Sequence, residues 1–149
     1  MLPRRRRLGR ARTGPQMSIE GLYQADVLRT TPDATLGEVA AAMSAKDVGS
    51  LLVFEGDELV GVITERDLVR ALDTIDAPRA AAVRDHMTPD PWVVLFDWDI
   101  RQVAERMLNH GIRHAPVMRE GSVVGVVSSL DLVAYLALEL NPGGGTEQP

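Results

Sequence analysis

The chain has 149 residues, 45% of them hydrophobic and 25% charged, which suits one compact domain or two very small ones. It contains no cysteine, which excludes disulfides, cysteine nucleophiles and thiolate metal sites and favours a reducing compartment. Its apolar runs are too short to cross a bilayer, and no apolar signal-peptide core follows the basic start, so we expect a cytoplasmic protein.

Charge is divided unevenly along the chain. Six arginines lie within the first 12 positions, and the rest of the chain carries ten basic and 21 acidic residues. The acidic body disfavours nucleic acid as its partner, so an anionic ligand would need local cations. Residues 1–16 lack periodicity and predict a disordered arginine-rich tail; the alternatives are a true start at Met17 or nucleic-acid contact through the tail. Residues 141–149 predict a flexible C-terminal tail.

The body between the tails repeats itself. Shifting residues 26–72 by 64 positions aligns thirteen identical residues without a gap. Fixed spacing of this kind indicates two copies of one structural unit, which we place at residues 22–78 and 84–140. Each copy is too small to bury a sufficient core alone, so we expect the copies to pack face to face.

The first copy begins with an extended segment at residues 27–30. Thr35, with Glu38 three residues later, predicts the start of a helix whose apolar stripe runs to Met43. Two β-rich runs around a Gly-Asp turn predict a hairpin over residues 51–63, and a second helix follows directly.

The second copy repeats this order. An extended segment at residues 92–95 precedes a helix that Asp99 caps and Gly111 ends. A hairpin over residues 115–127 leads into a last helix that opens at Ser129. The predicted fold is therefore α/β, with the order β-α-β-β-α occurring twice.

One motif occurs in both copies at the junction of hairpin and helix. It reads Gly-Val-Ile-Thr-Glu-Arg-Asp at residues 61–67 and Gly-Val-Val-Ser-Ser-Leu-Asp at residues 125–131. The carboxylate can accept two hydrogen bonds from a ribose diol, and the hydroxyl and free helix N–H groups can reach sugar or phosphate oxygens. The same spacing is also that of a helix-capping box, and the two roles are compatible. The candidate polar ligand-binding residues are Thr64, Asp67, Ser128 and Asp131.

The β-α-β-β-α order and the paired motif together resemble the cystathionine-β-synthase-type (CBS) repeat family over about residues 22–140. This resemblance implies a stand-alone pair of repeats packed about a pseudo-two-fold axis. It further implies a regulatory module that binds AMP, ADP, ATP or S-adenosylmethionine, with or without magnesium, and signals to an unknown effector protein through a conformational or oligomeric change. A homodimer is common in the family. The chain shows no nucleophile elbow, P-loop or dinucleotide fingerprint, so we expect no enzyme.

Members of this family usually place a basic residue at the start of the hairpin to hold phosphate. The second copy has Arg113 and His114 there, whereas the first copy is uncharged. The resemblance therefore implies that the Ser128/Asp131 pocket is the better phosphate site, with Arg66 serving either pocket. The alternative for all three cations is a solvated surface position. Three apolar candidates complete the ligand-binding set: Val62, Val126 and Pro116.

Two alternatives remain open from the sequence. The chain could be a structural or interaction protein whose pockets are vestigial, and the uncharged hairpin start of the first copy supports this for one site. Trp92 and Trp98 are unusual in so small a fold; packing in the core or a dimer is the expected role, and stacking on a base is the alternative.

Overall fold

The computed structural model describes residues 17–140; the two predicted tails, residues 1–16 and 141–149, lie outside them. The first repeat comprises β1 (Arg29–Thr30), α1 (Leu36–Lys46), β2 (Ser50–Glu55), β3 (Glu58–Thr64), α2 (Glu65–Thr74) and the short β4 (Thr88–Pro89). The second repeat comprises β5 (Val94–Leu95), α3 (Ile100–His110), β6 (His114–Arg119), β7 (Ser122–Ser128) and α4 (Ser129–Leu140). The predicted α/β fold with two β-α-β-β-α repeats is confirmed.

Each repeat has its own small sheet. The first has the strand order β1-β2-β3-β4, and the second has the order β5-β6-β7. In both, the short first strand runs parallel to the middle strand, which pairs antiparallel with its hairpin partner. The helices cover one face of each sheet, because a parallel connection needs a helical crossover.

The predicted helix ends are those of the structure. The Thr35 side chain accepts from the Glu38 N–H at 3.2 Å, and the Thr35 N–H donates to the Glu38 carboxylate at 2.8 Å. Asp99 accepts from two backbone N–H groups of the first turn of α3, and Gly111 ends that helix with φ of 63°. A left-handed residue at this position is most easily supplied by glycine.

Three clusters of buried side chains hold the molecule together. One core lies under each sheet, centred on Ile63 in the first repeat and Val127 in the second, and both side chains are fully buried. The third cluster contains buried residues of both repeats: Leu52, Phe54, Val62 and Val126. The two repeats therefore share an apolar contact across the pseudo-two-fold axis, as their small size predicted.

The segments that precede each repeat pack on the other repeat. Ile19, fully buried in the second core, donates its N–H to the Trp98 carbonyl at 3.0 Å. Val83, in the link between the repeats, is fully buried in the first core and donates to the Ala34 carbonyl at 2.8 Å. The link predicted at residues 76–84 is thus part of the first repeat's structure, because its apolar side chain completes that core.

This exchange explains the glycine that opens each motif. A Cβ on Gly61 would lie 2.6 Å from the Met87 Sδ, and one on Gly125 would lie 2.5 Å from the Gln24 carbonyl oxygen. Real Cβ contacts are longer than this. The crossing segments therefore require a residue without a side chain at both positions. No helix within residues 17–140 has the length and apolar character needed to cross a membrane.

Candidate functional site

A cavity of about 350 Å³ opens where the second helix of the first repeat meets the hairpin start of the second repeat. This is within the size range of small-molecule sites. Both repeats contribute to its wall, which consists of Val62, Thr64, Glu65, Arg66, Asp67, Arg70, Thr88, Pro91, Trp92, His110, Gly111, Ile112, Arg113 and His114. We call it the interrepeat cavity.

The first motif supplies the polar end of the interrepeat cavity. Thr64, the N-cap of α2, donates its N–H and its hydroxyl to the same Asp67 oxygen, Oδ2, at 2.8 and 3.0 Å. Within residues 17–140, Oδ1 of Asp67 makes no hydrogen bond. The carboxylate is therefore held in place by the helix start while one oxygen stays available to a ligand in the cavity.

The second motif forms the same local structure in a different setting. Ser128 donates its N–H to Asp131 Oδ2 at 3.1 Å, and the Asp131 N–H donates to the Ser128 hydroxyl at 3.1 Å. The capping interpretation therefore holds for both motifs, in agreement with the spacing. Neither Ser128 nor Asp131 lines the interrepeat cavity.

The basic residues of the second repeat lie at the start of its hairpin, where His114 is the strand partner of Ser128. Arg113 and His114 line the interrepeat cavity together with Thr64 and Asp67, rather than forming a pocket with the second motif alone. The two cations therefore share this cavity with the first motif, and His114 also lies within electrostatic reach of Asp131. That Ser128 and Asp131 form the better phosphate site stays a prediction.

The path of the backbone gives the reason. In each repeat the first residue of the second helix donates its N–H to the segment before the hairpin: Glu65 to the Gly49 carbonyl at 3.0 Å, and Ser129 to the Arg113 carbonyl at 2.8 Å. A Cβ on Gly49 would lie 3.5 Å from the His114 Nε2, so the two hairpin starts face each other across the axis. The Arg113 carbonyl thus anchors the last helix of its own repeat, while Arg113 also lines the cavity that holds the other repeat's motif.

His114 is a half-buried titratable group of the site. Burial lowers its pKa below the ordinary value of 6.5, and the neighbouring Arg113 guanidinium lowers it further, whereas the Glu65 and Asp131 carboxylates oppose this. The imidazole is therefore mainly neutral at pH 7. At that pH the arginines of the wall, Arg66, Arg70 and Arg113, supply the positive charge of the cavity.

Eight cavity residues were missing from the sequence-based set, Arg70 and Trp92 among them. Arg70 lies four residues after Arg66 on α2, and this spacing places both side chains on one helix face. That spacing was a signal that could have identified Arg70. Trp92 packs against the second core, as expected, and also lines the cavity, which no local pattern in the sequence indicates.

The apolar candidates divide between the cavity and the interior. Val62 lines the cavity, while only 5% of its surface is exposed. Val126 packs in the cluster between the repeats, and Pro116 is buried opposite it in the hairpin of the second repeat. Neither of the latter two lines the interrepeat cavity, whereas Val62 belongs both to that cluster and to the cavity wall.

A second, wider crevice lies at the other end of the hairpins. It measures about 1010 Å³ and is bordered by acidic residues at the first hairpin turn, including Glu55, Asp57 and Glu58. None of the sequence-predicted site residues lines it. Within residues 17–140, no group of three or more histidine, aspartate or glutamate side chains is placed to hold a metal ion.

Comparisons with known proteins agree with this architecture. The CBS domain family matches residues 19–74 and 83–138. An uncharacterized 17.7 kDa protein of Acidianus ambivalens is 38% identical over 109 residues, which cover 70% of this chain and 64% of that protein. The chain spans between 42 and 64% of the length of the first three curated relatives that it matches.

Solved structures share the fold. The CBS-domain containing protein ATU1752 from Agrobacterium tumefaciens superposes with a TM-score of 0.77 at 28% identity, covering 80% of this chain and 99% of that one. The CBS domain pair of protein MJ0100, solved in complex with 5′-methylthioadenosine and S-adenosyl-L-methionine, superposes with a TM-score of 0.75 at 22% identity, covering 84% and 99%. Two CBS domains make up most of this chain, which therefore belongs to the CBS domain family.

Proposed function

We propose that this protein is a regulatory module that binds a phosphorylated adenosine nucleotide in the interrepeat cavity. The observation that carries the proposal is the meeting of Thr64 and Asp67 from one repeat with Arg113 and His114 from the other around one cavity. A carboxylate oriented by a helix start suits a ribose diol, and guanidinium groups suit phosphate oxygens. A catalytic role is not part of the proposal.

The charges of the cavity favour phosphate over a sulfonium. Three guanidinium groups, on Arg66, Arg70 and Arg113, face two carboxylates, on Glu65 and Asp67. This local excess of positive charge opposes the negative field of the acidic body. AMP, ADP or ATP is therefore expected to bind more tightly than S-adenosylmethionine, whose reactive centre is cationic. The fold-level neighbour MJ0100, which binds adenosine derivatives, supports the nucleoside part of the proposal.

The second motif offers no equivalent set of cations. The positions that correspond to Arg66, Arg70 and Arg113 at the spacing of 64 are Leu130, Ala134 and Gly49. The site around Ser128 and Asp131 could therefore hold a ribose but lacks groups for phosphate. We infer one nucleotide of high affinity per chain, and at most a weaker second one.

Binding would act through the contact between the repeats. The ligand touches the start of α2 and the start of β6, so it stabilises the relative position of the repeats in which both groups reach it. It can shift an equilibrium between two such positions only by its difference in affinity for them. The effector would be another protein or a second copy of this chain.

The test is a thermal-shift and calorimetric panel of AMP, ADP, ATP, S-adenosylmethionine and 5′-methylthioadenosine, with and without magnesium. A ligand at 100 times its dissociation constant adds about 2.7 kcal/mol of stability. The expected order is phosphorylated adenosines first, with magnesium acting only on ligands that carry two or more phosphates. Absence of any shift at millimolar nucleotide would refute the proposal and favour a structural role with vestigial pockets.

We propose in addition that the protein forms a homodimer. The closing helix of each repeat exposes apolar side chains at equivalent positions, Val69 (63% exposed) on α2 and Val133 (59%) on α4, and Leu72 and Leu138 are exposed as well. Exposed apolar surface of this kind marks association sites. Sedimentation should show a dimer that Val133→Asp dissociates and that Leu95→Asp, on a strand of the second sheet, leaves intact. A monomeric wild type at micromolar concentration would contradict it.

A further inference from the structure

Trp92 occupies a position between the second core and the interrepeat cavity. Its side chain is half-buried and packs against the second core, yet part of it lines the cavity. It lies just before β5, and its neighbour Pro91 lines the same wall. The cavity thus combines an indole with polar and charged side chains in one wall.

The surroundings hold the Trp92 ring in place. Its centroid lies 6.2 Å from that of Trp98, with the ring planes inclined by 45°. Trp98 is itself packed against the second core, and the Arg106 guanidinium lies 5.8 Å from its ring centroid. Offset or tilted aromatic pairs at this separation stabilise one another. The cavity therefore has a preorganised aromatic wall, which costs a ligand little ordering of the side chain.

The first repeat has no counterpart to this wall. The residue that corresponds to Trp92 at the spacing of 64 is Leu28, which packs against the first core. The fold thus accepts leucine at this position. The indole occurs only in the second repeat, where it lines the cavity that contains the three arginines.

We propose that Trp92 is the base-recognition residue of the interrepeat cavity and stacks on the purine ring of a nucleotide whose ribose is held by Asp67. The inference rests on the proposed function and adds the group that selects the base. Stacking on an aromatic side chain contributes about 1–3 kcal/mol per base, so its loss corresponds to roughly a five- to 150-fold weaker affinity. Val62 and Ile112, also in the wall, offer apolar contacts to the ring edges.

The first experiment measures ADP affinity by calorimetry in the full chain, with Trp92→Leu and the control Trp98→Phe. Trp92→Leu installs the residue of the first repeat and is expected to weaken ADP about tenfold, whereas Trp98→Phe changes affinity less than threefold. Inorganic pyrophosphate, which has no base, is expected to raise the melting temperature equally in wild type and Trp92→Leu. Equal loss of pyrophosphate stabilisation would show that the substitution merely damages the site and would overturn the inference.

The second experiment measures the contact between Trp92 and the base by tryptophan fluorescence. Trp98→Phe leaves Trp92 as the sole tryptophan, and ADP is expected to quench and shift its fluorescence saturably. Trp92→Phe, which retains only Trp98, should respond much less. If wild type binds ADP but the fluorescence of Trp92 is unchanged, or Trp92→Leu binds ADP as tightly as wild type, Trp92 does not contact the base and the proposed function stands. If wild type binds no adenosine nucleotide, both proposals fail.

Discussion

The two motif aspartates make a matched pair for testing where the nucleotide binds. Asp67 and Asp131 each accept a hydrogen bond from the N–H three residues earlier, at 2.8 and 3.1 Å, and each lies in the first turn of the last helix of its repeat. Only Asp67 lines the interrepeat cavity. Substitution by alanine therefore removes the carboxylate that accepts from the helix start in both variants. Only Asp67→Ala also removes the proposed ribose contact.

The expected magnitudes follow from these contacts. Loss of a helix-capping interaction costs about 1 kcal/mol, so urea denaturation should show similar destabilisation for Asp67→Ala and Asp131→Ala. A hydrogen bond to a charged group contributes about 1.5–3 kcal/mol, so Asp67→Ala should weaken ADP by about ten- to 150-fold. Asp131→Ala should change the dissociation constant less than threefold.

Isothermal titration at fixed pH and salt decides between the sites, and urea denaturation of the same proteins checks that the comparison is fair. Variants that lose equal stability but differ in ADP affinity would locate the nucleotide beside Asp67. An Asp131→Ala protein that loses as much affinity as Asp67→Ala, or more, would refute the assignment. It would restore the site that the sequence resemblance implied.

Other perturbations test the packing and the electrostatics. Gly125→Ala places a methyl group 2.5 Å from the Gln24 carbonyl oxygen, a backbone atom, and should lower the free energy of unfolding by about 1–3 kcal/mol in urea denaturation. Gly61→Ala should cost less, because the only atom closer than 3.0 Å there is the sulfur of the flexible Met87 side chain. Burial lowers the pKa of His114, so the unfolded chain takes up that proton first and stability should decline as pH falls below 6.5. His114→Gln should reduce this decline and His110→Gln, at the exposed end of α3, should retain it; identical pH profiles for both variants and wild type would contradict the assignment.

Local order was readable from the sequence. The capping pair of Thr35 and Glu38, the left-handed Gly111 and the alternation of turn and β-rich runs predicted the helices and hairpins, because each depends on residues within a few positions of one another. The 64-residue repeat predicted two small units in contact, and the motif predicted a carboxylate at the start of a helix. These inferences needed no knowledge of where distant segments meet.

Tertiary structure alone decided which side chains share the site. The link between the repeats completes the first core, and the segment around Ile19 completes the second. These contacts join residues far apart in sequence, and no local pattern encodes them. His114 is the strand partner of Ser128 in the second motif, yet it and Arg113 line one cavity with Asp67, because the two hairpin starts meet across the pseudo-two-fold axis. The sequence likewise predicts Trp92 as a packing residue. Its place in the cavity wall exists only because the two repeats pack together. Spacing along a chain specifies hydrogen bonds within a turn, whereas the partner of a side chain across an interface depends on how two buried apolar faces fit together.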